Sequence, residues 1–328
     1  MATLVSIIVP VYQVSAYVER CVRSVMSQTY QNIECIIVDD ATFDDSIEKC
    51  ERLIKEYDGS VHFRILHHEQ NRGLSAARNT GTDAATGDYL YYLDGDDEIT
   101  PDCIGKLVSF ALVDNSIEMV QGHGLRICEG EEVAAYRECH DMRVSCNDDV
   151  RKQFLKFQTI SVYVWNKLLK RSFVEQNKLY CKEGIIAEDY LWTFHLIKVL
   201  KTAYLCSDVT YRYYVRADSI TYSSSPKKLG DSICIIFNEI LCQLTSSKER
   251  EELHGYVYNF CRRYMSCVND VPALKETAKL YIKKAKQYNC WYVFTVLSLV
   301  CMARKVCNPL GMLDGMNRIR WKVKTIKM

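Results

Sequence analysis

The feature that most constrains this chain is a regular alternation along its first hundred residues. "VSIIVPV" (5–11), "IECIIVDD" (33–40), "VHFRILHH" (61–68) and "YLYYLD" (89–94) are short, nearly continuous apolar runs. Between them lie "SAYVERCVRSVMSQ" (15–28), a segment from Asp44 to about Tyr57, and "GLSAARNTGTDAA" (73–85). These three carry helical patterns, the first behind a Ser N-cap. Buried strands alternating with helices predict right-handed βαβ crossovers and an α/β fold, its parallel sheet covered on both faces. In such sheets a ligand sits beyond the C-terminal ends of the strands. Three of the four predicted strands end in chemistry: Pro10 and Tyr12 after the first, Asp39 and Asp40 after the second, and Asp94, Asp96 and Asp97 after the fourth. Residues far apart in sequence are thus expected at one rim.

Three carboxylates within four residues repel one another, so a positive partner is expected among them. A hard divalent cation, Mn²⁺ or Mg²⁺, takes one or two carboxylates and fills its shell with substrate phosphates. The competing reading of "DGDD" is a solvated acidic turn. EF-hand spacing is absent. Asp39 and Asp40 are placed to accept hydrogen bonds from a ribose or base, or else to cap the next helix, as Asp44 could also do. After the first strand comes "PVYQVSAY", with no G-x-G-x-x-G, which argues against a NAD-type site. Phosphates are then left to a metal. A third acidic pair, Glu188-Asp189, opens a predicted amphipathic helix over 188–200. The helix dipole alone favours carboxylates there by about 0.3–1 kcal/mol. If that turn faces the metal site, Asp189 becomes a general base.

The chain has 328 residues and a formal net charge of +1, which gives no overall argument for nucleic acid. Sixteen cysteines, no two closer than six positions, form no C-x-x-C and read as reduced, mostly buried thiols. The N-terminal "MATLVSIIVPVY" reads as lacking a secretion signal, and no run reaches the length of a spanning helix. From about Glu118 the pattern becomes mixed, with strands in "EMVQGHGLRI" and "TAYLCSDVTYRYYV"; after Pro226 it is mainly helical, in "SICIIFNEILCQL" and "LKETAKLYIKKAKQ". The apolar "CWYVFTVLSLVCMA" (290–303) reads as a buried helix or a homodimer contact, or with the basic "RIRWKVKTIK" as a peripheral membrane anchor.

The segments "SIIVPVY", "SVMSQTYQNIECIIVDDATFDDS", "NRGLSAARNTGTDAATGDYLYYLDGDDEITP", "VWNKLLKRS", "AEDYLWTF" and "YYVRADSIT" follow in order over residues 4 to 221. Together they resemble glycosyltransferase family 2, the inverting sugar transferases of GT-A fold. The resemblance implies a nucleotide-sugar domain at 1–222 and a helical extension at 223–328. It implies that Pro10 and Tyr12 line a nucleobase pocket, that Asp39 bonds the base (uracil as a rule), and that Arg72 lies near the nucleotide. Asp94 is expected toward the ribose, Asp96 on a metal bridging the diphosphate, Asp97 in support, and Asp189 as the base that deprotonates an acceptor hydroxyl. It further implies a UDP-sugar donor, a saccharide acceptor that is free or lipid-linked, and surface polysaccharide synthesis; the reduced thiols and the N-terminal reading point to a cytoplasmic setting, and the basic tail to the inner face of the membrane. Transfer to a lipid or protein, a catalytically silent sugar-nucleotide- or glycan-binding module and a metal-dependent phosphohydrolase are the alternatives.

Three positions depart from the family pattern: Gln13 stands for Asn, and Ala41-Thr42 for Gly-Ser. Ala41 is expected to keep its turn out of the positive-φ region. Trp165, Asn166 and Lys167 read equally as an acceptor border or as packing, and Arg216 as a diphosphate ligand or a surface ion pair. His67 and His68 point to opposite faces of a strand and are not assigned to metal.

Overall fold

The structure, a computed structural model, describes residues 3–138, 140–216, 219, 224–243 and 283. The chain divides into two compact units, 1–223 and 224–328. The first unit runs β1 (Val5–Val11), α1 (Val18–Met26), β2 (Ile33–Asp39), α2 (Ser46–Glu56), β3 (His62–His67), α3 (Leu74–Ala84), β4 (Tyr89–Tyr92), β5 (Glu98–Ile99) and α4 (Cys103–Val113). It continues through β6 (Met119–Cys128), β7 (Glu131–Ala134), β8 (Met142–Val144), α5 (Asn147–Lys152), β9 (Lys167–Lys170), α6 (Arg171–Gln176), α7 (Glu188–Val199) and β10 (Ala203–Tyr214). In the second unit α8 (Pro226–Gln243) buries Leu229, Ile233, Ile236 and Ile240 at helical spacing. The predicted helix over "LKETAKLYIKKAKQ", the apolar run 290–303 and the basic tail lie outside the described residues.

One sheet of ten strands organises the first unit, its main path in the order β3-β2-β1-β4-β9-β6-β10-β5. The first four of these are parallel, as the alternation predicts. Both β1 and β2 are buried at every position, which is why their sequences are unbroken apolar runs. At the edge, β3 alternates between exposed and half-buried residues and is not the doubly covered strand expected. The rest of the sheet is mixed: β9 is antiparallel to both β4 and β6, and β10 runs parallel to β6. The expected strand ends share one edge, since Asp39 pairs in register with both Val11 and His67.

Local chemistry differs from the expected caps. Helix α1 begins at Val18 after Tyr17, with no side-chain cap, so Ser15 is not its N-cap. Ser15 instead binds the next loop, its N–H donating to Asp44 Oδ2 at 3.1 Å and its hydroxyl to Asp45. Helix α3 lies unusually close to β1, because a Cβ at Gly81 would sit 2.4 Å from Ile8 Cγ2. With Ala76 and Ala77 also buried, this small-residue face brings the base of Arg78 deep into the fold.

Candidate active site

The positive partner that the Asp94 cluster demands is Arg78. Its guanidinium, only 1% exposed, donates to Asp94 Oδ1 at 2.7 Å through Nη2. Through Nη1 it reaches Glu188 Oε1 at 2.6 Å and Asp189 Oδ1 at 3.4 Å. The end of β4 and the first turn of α7 therefore meet on one buried cation. Burial works against the charge on Arg78, but Asp94, Asp189 and Glu188 outweigh it and hold the group protonated. Sequence reasoning missed Arg78; its signal was a lone long cation among the small residues of "LSAARNTG".

Asp189 feels the opposite balance. Burial first, then Glu188, raise its carboxyl to about 7, with Asp94 adding to the rise and Arg78 and Lys167 opposing it. Lys167 on β9 is fully buried, donating to Ser161 Oγ at 2.7 Å and to the Tyr163 carbonyl. Burial pulls its ammonium down to about 7, against the field of Asp189.

The turn after β4 is set by contact with β1. A Cβ at residue 95 would sit 2.7 Å from the Pro10 carbonyl oxygen, so only glycine lets the "DGD" turn lie there. Arg216 Nε donates to Asp96 Oδ2 at 2.6 Å, and Arg20 Nη2 to the Asp96 carbonyl at 2.7 Å. Burial and then Asp94 push the Asp96 carboxyl up, with Arg216 opposing. The two arginines also stack on tyrosines, Arg20 over Tyr214 at 3.5 Å and Arg216 over Tyr17 at 4.9 Å. Asp97 is turned away. Its oxygens accept from Tyr211 Oη at 2.7 Å and the Tyr214 N–H at 2.8 Å, and it is fully buried. It braces the turn against β10.

At the end of β2 the two aspartates divide their work. Asp39 accepts the Thr42 N–H on Oδ1 at 2.8 Å and lies 3.0 Å from His67 Nδ1 through Oδ2. Asp40, 2% exposed, accepts the N–H groups of Arg72 at 2.8 Å and Gly73 at 2.7 Å, Asn71 Nδ2 at 2.8 Å, and meets His68 Nδ1 at 2.7 Å. It thus folds the "NRG" loop at the head of α3. The Arg72 side chain points to solvent and pairs with Glu183 at 3.3 Å. Tyr12 is half-buried beside Phe43, ring centroids 6.3 Å apart and edge-on.

Contrary to expectation, Ala41 has φ +54°, and Gln13 has φ +53°. The Asp39 and Asp40 hydrogen bonds over-determine the turn and hold it there without glycine. Trp165 and Asn166 resolve to packing. Trp165 stacks between Tyr163 and Tyr211 at 4.4 and 4.3 Å. Asn166, fully buried, accepts from Tyr91 and Thr210 and donates to the His123 carbonyl and Tyr136.

Residues 6–177 match the family model described as glycosyl transferase family 2. The chain belongs to glycosyltransferase family 2. Among its family relatives, "Glycosyltransferase GlyA" of Streptococcus pneumoniae is 33% identical over 66% of this chain and 31% of its own length. The poly(ribitol-phosphate) β-N-acetylglucosaminyltransferase TarP of Staphylococcus aureus is 27% identical, over 80% of this chain and 79% of TarP. The chain thus spans about a third of GlyA and most of TarP. The fold is that of the GT-A transferases: S. aureus TarS 1–349, solved with UDP-GlcNAc, superposes with a TM-score of 0.69 at 16% identity, over 86% of this chain and 81% of that one. The mannosyltransferase PcManGT of Pyrobaculum calidifontis, solved with GDP-mannose and Mn²⁺, gives 0.56 at 14% identity over 91% and 87%.

Among the described residues no three His, Cys, Asp or Glu side chains converge as a metal cage. Asp94 and Asp96 are hard oxygen donors, each holding a guanidinium on one oxygen. That set fits a cation that takes one or two carboxylates and completes its shell from a diphosphate and water, as Mg²⁺ and Mn²⁺ do. No helix among the described residues is long and apolar enough to cross a membrane.

Proposed function

We propose that this chain is an inverting glycosyltransferase that moves one sugar from UDP to a saccharide hydroxyl. The observation that carries the reading is the meeting of Asp94 and Asp189 on Arg78, a strand-end carboxylate beside a carboxylate raised to about 7. A base poised near neutral pH suits proton removal from an alcohol as it attacks. Pro10, Tyr12, Asp39 and Arg72 form the nucleoside side, with Asp39 accepting from the base. His67 then yields its place on Asp39. Asp94 faces the ribose. Asp96 would hold Mn²⁺ or Mg²⁺, and Arg216 would exchange its carboxylate for diphosphate oxygens. The cation, when bound, neutralises charge on the leaving diphosphate. Asp189 takes the proton of the acceptor hydroxyl, whose oxygen attacks the anomeric carbon from the face opposite UDP. One bond forms as one breaks, so an α-linked donor yields a β-linked product with no covalent enzyme intermediate.

The UDP-GlcNAc bound by TarS and the N-acetylglucosamine transferred by TarP favour UDP and an N-acetylhexosamine as first candidates. The poly(ribitol-phosphate) in TarP's name likewise favours assembly of a glycan polymer, here read as surface polysaccharide, as the setting. Residues 1–222 carry the reaction in this reading, and 223–328 serve contact with a second copy or with the inner face of the membrane. The test is release of UDP from a panel of UDP-sugars with Mn²⁺, Mg²⁺ or chelator, with thermal shifts read on UDP and Mn²⁺. Metal-dependent release from one donor, lost in Asp96→Ala, is the expected result. Neither binding nor release from any donor sinks the reading, while binding that never leads to transfer on any acceptor favours a silent module. Release of phosphate from many nucleotides points to a phosphohydrolase.

A further inference from the structure

We infer that Phe43 is a donor-binding residue, an aromatic wall on which the base of a nucleoside diphosphate stacks beside Tyr12 and Asp39. This rests on the reading of the β1 and β2 ends as the nucleoside side. Phe43 is 80% exposed, the most exposed large apolar side chain among the described residues. Single apolar side chains on a surface are ordinary, but this one is held out by its own loop. Before it, Thr42 donates its N–H to Asp39 Oδ1 at 2.8 Å, accepts the Gln13 N–H on Oγ1 at 2.8 Å and donates that hydroxyl to Asp44 Oδ1 at 2.8 Å. After it, Asp44 accepts the N–H groups of Ser15 at 3.1 Å and Ser46 at 3.2 Å. The residues on both sides of Phe43 are thus tied to the segment after β1. The phenyl ring meets Tyr12 at right angles, centroids 6.3 Å apart, and most of its surface stays uncovered.

The sheet order says which ligand group belongs there. β1 lies between β2 and β4. Tyr12 follows β1, Asp39 ends β2 and Phe43 comes just after it, whereas Asp94 and Asp96 follow β4 on the other side of β1. Phe43 therefore stands at the nucleoside end of the rim and not at the diphosphate end. The donor sugar is carried by the diphosphate, so the base is the group left for this corner. Two rings at right angles beside a carboxylate suit a flat heterocycle: its π-face stacks on one ring while an N–H at its edge donates to Asp39. Stacking tolerates every base. In this arrangement Phe43 supplies affinity, and Asp39 the choice among bases.

The experiment is calorimetry on the full chain with Mn²⁺, titrating UDP and, as the probe that lacks a base, ribose 5-diphosphate. In Phe43→Ala the affinity for UDP is expected to fall about tenfold, the scale of one base–aromatic stack. Affinity for ribose 5-diphosphate is expected to change less than about twofold. Phe43→Trp keeps a flat ring and is expected to bind UDP within about twofold of the native chain. Its added indole fluorescence, read as the difference from the native chain, is expected to be quenched by UDP and not by ribose 5-diphosphate. UDP affinity unchanged in Phe43→Ala overturns the inference and leaves the nucleoside reading standing; that is the result if the ring serves a partner molecule instead. Equal losses for the two ligands also overturn it, since Phe43 then only shapes its loop. Should Phe43→Ala not fold, the absence of UDP quenching in Phe43→Trp overturns it. A native chain that binds no UDP removes the nucleoside reading, and this inference with it.

Discussion

Ala41 and Gln13, two of the three departures from the family pattern, both occupy the left-handed region, at φ +54° and +53°. A residue with a Cβ pays about 1–2 kcal/mol there. The cost is offset by hydrogen bonds that close the loop: the Thr42 N–H to Asp39 at 2.8 Å and the Gln13 N–H to Thr42 Oγ1 at 2.8 Å. Ala41→Gly relieves the strain but adds freedom to the unfolded chain, worth about 0.4–1 kcal/mol. The expected net gain is about 0.5 kcal/mol, read by urea denaturation; a loss above about 1 kcal/mol contradicts the strain account. Asp39, Asp40 and Asp94 were legible in sequence because strand ends in parallel sheets point to one rim. The direction of each side chain was not, since it depends on partners far along the chain. Asp97 was expected in support of Asp96, but its partners, Tyr211 and Tyr214 on β10, lie far along the chain and could not be read from the motif.

At the scale of elements, the turn after β4 is held by the close approach of Gly95 to β1. Gly95→Ala forces a Cβ to 2.7 Å from the Pro10 carbonyl, so the turn must lift and carry Asp94 and Asp96 with it. Overpacking of this kind costs about 1–3 kcal/mol. The expected result is a folded chain whose UDP affinity falls at least about tenfold, measured by calorimetry. β9 contributes a different device, a buried lysine. Lys167 has a folded pKa of about 7 against an ordinary 10.5, so between those values the native chain binds fewer protons than the unfolded one. Native stability therefore rises with pH across that window, and the penalty is fully present below about 7. Lys167→Met removes it. Its stability relative to the native chain should improve as pH falls from 9 to 7, by up to about 1.4 kcal/mol per unit. A pH-independent difference in denaturation midpoints refutes this. β9 itself was unreadable from sequence, because "KLLK" is too short to show a period and its strand state comes from pairing with β4 and β6.

For the whole molecule, the two guanidiniums on Asp94 and Asp96 predict how metal and protein compete. Arg216 sits on the carboxylate proposed to hold the cation. Arg216→Gln is expected to bind Mn²⁺ more tightly in the absence of nucleotide, about threefold or more by electron paramagnetic resonance, yet to bind UDP with Mn²⁺ more weakly. Weaker Mn²⁺ binding in that variant argues against competition at Asp96. The sheet makes this arrangement global. Arg216 follows β10, Asp96 follows β4, and β9 and β6 separate those strands in the sheet order.

The sequence by itself determined the α/β layering, the four parallel strands, the rim on which Asp39 and Asp94 lie, and the family. These follow from local periodicity and from short motifs whose meaning does not depend on distant residues. Tertiary structure alone decided which carboxylates share a cation, that Trp165 and Asn166 are packing, and that Ala41 is left-handed. It also decided that Lys167 is buried beside Asp189. Each of these depends on contacts between elements remote in the chain, where burial and charge neutralisation set the outcome and no local pattern records them.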